Sequence, residues 1–158
     1  MKKSPTLFLA VVCIATLLSP HPLWSQAVPK ATGKPGQIVT VPKDLKWTRG
    51  SLGHLQASLY GDPAKAGHYN ILIKWPKGQM SPAHYHTADR FVYVLSGTWW
   101  ISTDDRKDLS TAMALPAKSA AAESANQVHW DGSKDEEVTL IVTGVGPSLT
   151  VLVPEKKK

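Results

Sequence analysis

Two histidines separated by one residue, His84 and His86, stand in the stretch GQMSPAHYHTADRFVYVLSG, which runs from Gly78 to Gly97. Residues i and i+2 of a β-strand point to the same face, so the two imidazoles would project together. Imidazole suits zinc, copper, iron and nickel, with zinc–nitrogen bonds of about 2.0–2.1 Å. A metal site built here would be expected to recruit a carboxylate a few residues after the second histidine. The chain offers Arg90 instead.

Strand alternation from Arg90 runs through Val92 and Val94, two apolar residues suited to an interior, which turns Arg90 toward the histidines. A guanidinium ~6 Å from a divalent cation, at an effective dielectric near 20, is repelled by roughly 5 kcal/mol. That equals about three or four orders of magnitude in metal affinity. The penalty is tolerable only if an anion sits between the two charges or the arginine turns away. Arginine also grips carboxylates and phosphates with two hydrogen bonds. Inward placement therefore points to a metal plus a small anionic ligand, with Arg90 as the ligand-binding residue. The other placement pairs an outward Arg90 with Asp89 or another surface acid. Asp89 itself lies one position early, on the opposite face of a regular strand, and reaches the site only if the strand bulges.

Other candidates carry less. His54 and His68 lack such a frame and read as surface or rim residues, with His54 a candidate outer partner of the ligands. Trp99 and Trp100 are adjacent, so one faces inward and one outward. Tyr60 and Tyr93 read as packing residues. The cluster from Asp131 to Glu137 lacks the spacing of a calcium loop and reads as a solvated turn.

The elements that must position these residues are short strands. Leu55–Tyr60 is closed by Gly61-Asp62-Pro63, and in Tyr69–Trp75 the residues Tyr69, Ile71, Ile73 and Trp75 share a face. Further apolar runs span 80–86, 91–95, 98–102, 120–123, 127–131, 138–142 and 149–153, with a turn at Ser96-Gly97. Such spacing predicts an all-β sandwich or barrel. Only residues 104–113 suit a helical turn. Residues 28–47 carry three prolines and two glycines and read as an extended arm, with one short strand at Ile38–Val41.

The chain has 158 residues, 18 of them Lys or Arg and 12 Asp or Glu. Lys2 and Lys3 precede an apolar run from Leu7 to Leu18, and small residues, Ser25 and Ala27, follow. This is the pattern of a secretory signal peptide cleaved after Ala27, so that the mature chain begins at Val28. A run of twelve residues falls short of the roughly 20 that a spanning helix needs. Val12, directly before Cys13, does not suit a lipoprotein signal. The expected product is exported, periplasmic or secreted, and free of cysteine, since Cys13 leaves with the signal. Its core must hold without disulfides. The terminal Lys156-Lys157-Lys158 reads as a solvated tail. No basic stripe with interleaved aromatics appears, so nucleic-acid binding is not supported.

The spacing around the histidines resembles the first motif of the cupin superfamily: glycine, five residues, His-x-His, three or four residues, glutamate, six residues, glycine. Gly78, His84, His86 and Gly97 fit this frame, and Arg90 stands at the glutamate position. The second cupin motif is degenerate in LPAKSAAAESANQVHW. Lys118 stands at its first glycine, Ser124 at its proline, Asn126 at its second glycine, His129 at its histidine, and Ser133 at its late asparagine. The resemblance covers roughly Leu55 to Val153. The segments LYGDPAKAGHY and VHWDGSKDEEVTLIVTGVGP also resemble a group of small exported single-domain cupins in which HxHxxxR recurs. The resemblance implies an all-β, single-domain cupin β-barrel over residues 48–154, with a signal at 1–27, an arm at 28–47 and a basic tail at 155–158. It further implies a divalent transition metal (iron, zinc, copper, manganese or nickel) on His84, His86 and His129. A homodimer exchanging the segment Val28–Val41 is expected as well. Two functions fit: an oxygenase-type enzyme acting on a small carboxylate or enolate, or a non-catalytic module that senses or stores a metal or ligand.

Overall fold

The computed structural model describes residues 38–103 and 108–154. The expected signal peptide, the half of the arm before Ile38 and the tail at 155–158 lie outside the described residues. Among the described residues, eleven strands follow in chain order. They are β1 (Thr48–Arg49), β2 (Leu55–Tyr60), β3 (Gly67–Trp75), β4 (His84–His86), β5 (Arg90–Ser96) and β6 (Thr98–Ser102). Then come β7 (Met113–Pro116), β8 (Ala120–Glu123), β9 (Trp130–Ser133), β10 (Val138–Gly146) and β11 (Thr150–Leu152). All pairings are antiparallel. No α-helix occurs among the described residues; the 3₁₀ turns are Pro42–Asp44 and Leu109–Thr111, the latter inside the expected window. Among the described residues no helix is long and apolar enough to cross a membrane.

One sheet has the order β1-β2-β3-β10-β5-β8. The second layer joins β7-β6-β9 to β4-β11 through single bridges, Met80 to Gly132 and His84 to His129. Alternation decides what lies between the layers. Tyr69, Ile71, Ile73 and Trp75 of β3 are buried together with Val92 and Val94 of β5, Trp99 of β6, and Val138, Leu140 and Val142 of β10. The opposite face of β5 leaves Phe91, Tyr93 and Leu95 exposed. Full burial of such side chains stabilises by about 1.5–3 kcal/mol each, which is how described residues that include no cysteine can hold two sheets together. Gly97 makes the β5–β6 hairpin with φ 73°, and a Cβ there would collide with the carbonyl of Glu137.

Several boundaries differ from the sequence reading. Ile38–Val41 is not a strand: Ile38 and Val39 are exposed and gain no burial from pairing, and Val41 leads straight into the Pro42 turn. In the run 80–86, Pro82 has no N–H to donate, and regular pairing begins only at His84. In the run 127–131, Gln127 closes a turn onto Ser124, which delays β9 to Trp130. Strands β1 and β7 were not foreseen, because both are short and largely exposed and so lack an alternating pattern.

Candidate metal centre

Strand β4 is three residues long, His-Tyr-His, and both histidines are buried while Tyr85 between them is only half-buried. On one side β4 pairs with β11, His86 opposite Thr150 and His84 opposite Leu152. On the other, the His84 amide donates to the His129 carbonyl at 2.8 Å and the His129 amide returns the bond at 2.9 Å. This reciprocal bridge sets His129 directly across from His84. Their ring centroids are 4.3 Å apart, and His86 lies 4.9 Å from His84 and 5.3 Å from His129. One nitrogen of each ring can be chosen so that all three lie within 4.8 Å of one another. Three buried histidines thus stand close enough to hold a metal ion.

The hydrogen bonds orient the rings for that task. His84 Nδ1 faces the Pro82 carbonyl and His129 Nδ1 faces the Gln127 carbonyl, each at 2.9 Å. A carbonyl can only accept, so both Nδ1 atoms carry the proton and leave the lone pair on Nε2. His86 Nδ1 meets the Thr150 hydroxyl at 3.2 Å. All three Nε2 atoms are buried without a hydrogen-bond partner. Burial lowers the pKa of His84, an effect only partly offset by the Asp131 carboxylate. His86 is pushed down to about 2, first by burial and then by the Arg90 guanidinium. Both imidazoles are therefore neutral near pH 7, the state that binds metal.

Arg90 points inward with Val92 and Val94, and it is 8% exposed. Its Nε donates to Oε2 of Glu123, a buried residue directly opposite it in the β5–β8 register. The outward alternative does not hold. Asp89 is exposed and accepts the Ala125 amide at 2.7 Å, which ties it to the turn before His129 and away from the ligands.

A cavity of about 510 Å³ reaches the site at His86; Arg90 and Asp131 line it too, together with His54, Gln56 and Ser148. His54, expected at the surface or rim, is instead buried against Trp75, with ring centroids 5.0 Å apart and Nδ1 unpartnered. Its pKa is lowered, mainly by burial. His68 is exposed, as expected. Asp131 also departs from the reading as a solvated turn. It is buried on β9, accepts the Trp99 indole at 2.8 Å and the Ser81 hydroxyl at 3.1 Å, and lies 3.9 Å from His84 Nε2. The solvated part of that cluster begins at Lys134. Trp99 is the inward indole, and Trp100 is half-buried under Lys134.

No family model matches the sequence, and no curated protein matches it. Solved structures match the fold. An RmlC-like cupin from Ralstonia eutropha superposes with a TM-score of 0.55 at 22% identity, covering 70% of this chain and 69% of that one. The polyketide cyclase RemF from Streptomyces resistomycificus gives 0.61 at 14% identity over 75% of this chain and 88% of the other. The DMSP lyase DddQ from Ruegeria pomeroyi gives 0.58 at 16%, covering 73% and 64%.

The chain has the cupin fold.

Two positions of the degenerate second motif take a left-handed backbone. Lys118 and Asn126, at its two glycine positions, are the non-glycine residues with positive φ among the described residues, at 77° and 63°. That conformation costs an L-residue roughly 1–2 kcal/mol, least for Asn. The turn before His129 thus takes the left-handed backbone that glycine favours, without a glycine. What the sequence reading missed is Glu123. It was visible only as the last residue of an alanine-rich strand, and its partner Arg90 is 33 residues away.

Proposed function

We propose that this protein is an exported metal-binding cupin in which His84, His86 and His129 hold one divalent transition ion beside a pocket for a small anionic molecule. The observation that carries the reading is the set of three buried, unpartnered Nε2 atoms. A buried polar atom left unpaired costs about 1–3 kcal/mol, and one cation would satisfy all three. The donor set fits iron, manganese, nickel, copper or zinc, and such an ion would supply Lewis acidity toward a bound carboxylate or enolate.

The chain's own residues do the rest. Arg90 lines the cavity, and among the described residues only Glu123 engages its guanidinium, through Nε. Its Nη edge is the proposed anion seat. His54 Nδ1 and Ser148 Oγ, both unpartnered, offer further polar contacts from the same cavity. Such a lined pocket favours a metal-dependent enzyme acting on a small carboxylate over a simple metal store. Proteins named as a lyase and a cyclase share the fold, though a fold does not fix an activity. A non-catalytic sensor would show tight ligand binding without turnover.

Replacing one ligand tests the site. A structural zinc site with four ligands is worth about 10–16 kcal/mol, so each ligand accounts for roughly two to three decades of affinity. His84→Ala and His129→Ala should each lose that much in calorimetric titration with Co²⁺ or Zn²⁺. Unchanged affinity for His129→Ala would remove it from the set.

Export and self-association belong to the same proposal. Protein recovered from outside the cytoplasm should have the mass of a chain beginning at Val28; retention of residues before Ala27 would refute the cleavage. Exposed Phe91, Tyr93 and Val145 form an apolar strip on the outer face of the large sheet that a homodimer would cover. Ile38 and Val39, 73% and 51% exposed, lie in the segment expected to exchange. Sedimentation as a monomer would end the dimer reading.

A further inference from the structure

Two acids approach the histidines, and they differ in one respect. Both oxygens of Asp131 are engaged, by Ser81 and Trp99. Glu123 is half engaged: Oε2 takes the Arg90 Nε, while Oε1 is buried with no hydrogen-bond partner. That free oxygen lies 3.4 Å from His129 Nε2, itself unpartnered. Two lone-pair atoms do not rest against each other in a dry interior unless something positive joins them. A proton on His129 would satisfy this pair but would leave the Nε2 atoms of His84 and His86 orphaned. A metal ion on the three imidazoles would satisfy their Nε2 atoms, and Oε1, 3.4 Å from one of them, is placed to join them. Ligand atoms about 2.0–2.1 Å from one ion, at tetrahedral or octahedral angles, lie about 2.8–3.4 Å apart, a range that includes the observed separation.

From this geometry we infer that Glu123 is the fourth protein ligand of the site, binding through Oε1, with Arg90 as the positioning residue that holds Oε2. The carboxylate absent from position 90 of β5 is supplied from the neighbouring strand, at the position paired with 90. Arg90 and Glu123 face the same side of their strands together with Val92 and Ala121, so the exchange keeps both side chains on the histidine side of the sheet. It also answers the charge problem raised by Arg90, because the anion between guanidinium and metal is the chain's own. The inference rests on the three-histidine reading and adds a ligand to it.

A charge-neutral double substitution separates a ligand from a mere counter-charge. In Arg90→Met/Glu123→Met, one positive and one negative charge leave together, so a purely electrostatic role predicts unchanged affinity for Co²⁺. Ligation predicts a loss of about 100-fold, as for other ligands of such a site. The visible spectrum of the Co²⁺ form should also change in band position or intensity in Glu123→Gln, as one oxygen donor is lost. Affinity within twofold of wild type in the double variant, with an unchanged spectrum in Glu123→Gln, would overturn Glu123 as a ligand while leaving the three-histidine site intact. If wild-type protein binds no Co²⁺ at all, both readings fall.

Discussion

Arg90→Ala is expected to destabilise the metal-free protein by about 3–5 kcal/mol and, at the same time, to tighten its hold on divalent ions. The two effects share one cause. Arg90 and Glu123 form a buried pair, their side chains 9% and 5% exposed, and removing the arginine strands a carboxylate in the interior. Breaking such a pair costs far more than replacing both members, because the remaining charge has neither water nor a partner. The stranded carboxylate is then a better partner for a cation, and the repulsive guanidinium is gone. Affinity should rise by about tenfold or more. Arg90→Glu should go further in both directions, since it crowds two carboxylates beside the histidines. Metal at about 100 times its dissociation constant should return about 2.7 kcal/mol of the lost stability. Carboxylate ligands should bind more weakly to both variants, whose guanidinium seat has gone. Urea titrations with and without metal, together with calorimetry, read all of this. Equal urea midpoints and equal metal affinities for wild type, Arg90→Ala and Arg90→Glu would mean that the pair contributes nothing to either property.

What the sequence made legible here was whatever depends on near neighbours. His84 and His86 share a face because they are two apart on a strand, and Arg90 joins Val92 and Val94 inside for the same reason. The β5–β6 hairpin was legible from Gly97, and the β2–β3 turn from the Gly-Asp-Pro run. His129 was found only through the resemblance in spacing, since its place opposite His84 depends on a bridge between residues 45 positions apart. Glu123 was out of reach for a related reason. Its importance comes from register, Arg90 opposite Glu123, and register between non-adjacent strands is not written in local periodicity. The general clue was available all the same: an arginine placed in a core demands a buried acid, and few acids in the chain end an apolar strand. Asp131 was misread because the acids at 135–137 make its neighbourhood look solvated, whereas β9 carries it inward beside Trp99. His54 was misread because no local pattern distinguishes a histidine stacked on Trp75 from one at a rim.

Acid should unfold the metal-free protein well before it protonates most of its carboxylates. In the folded state the His86 pKa is pushed down to about 2, chiefly by burial and next by Arg90, and His84 is lowered by burial as well. In the unfolded chain both return to about 6.5. Below pH 6.5 the unfolded state therefore takes up protons that the folded state refuses, and stability falls as pH falls toward the folded value. For His86 the cost is about 1.4 kcal/mol per pH unit over that window. By pH 4.5, His86 alone removes about 2.7 kcal/mol, and His84 acts in the same direction. Against a total of about 5–15 kcal/mol for a domain of this size, that is a large share. The urea midpoint of the chelator-treated protein should drop steeply from pH 7 to pH 4.5, and His86→Gln should flatten the slope by removing one titrating group. Bound metal should oppose the fall, because it occupies the nitrogens that protons would take. A midpoint independent of pH across this range would show that the imidazoles are open to water, and with that openness the case for a dry three-histidine centre would be lost.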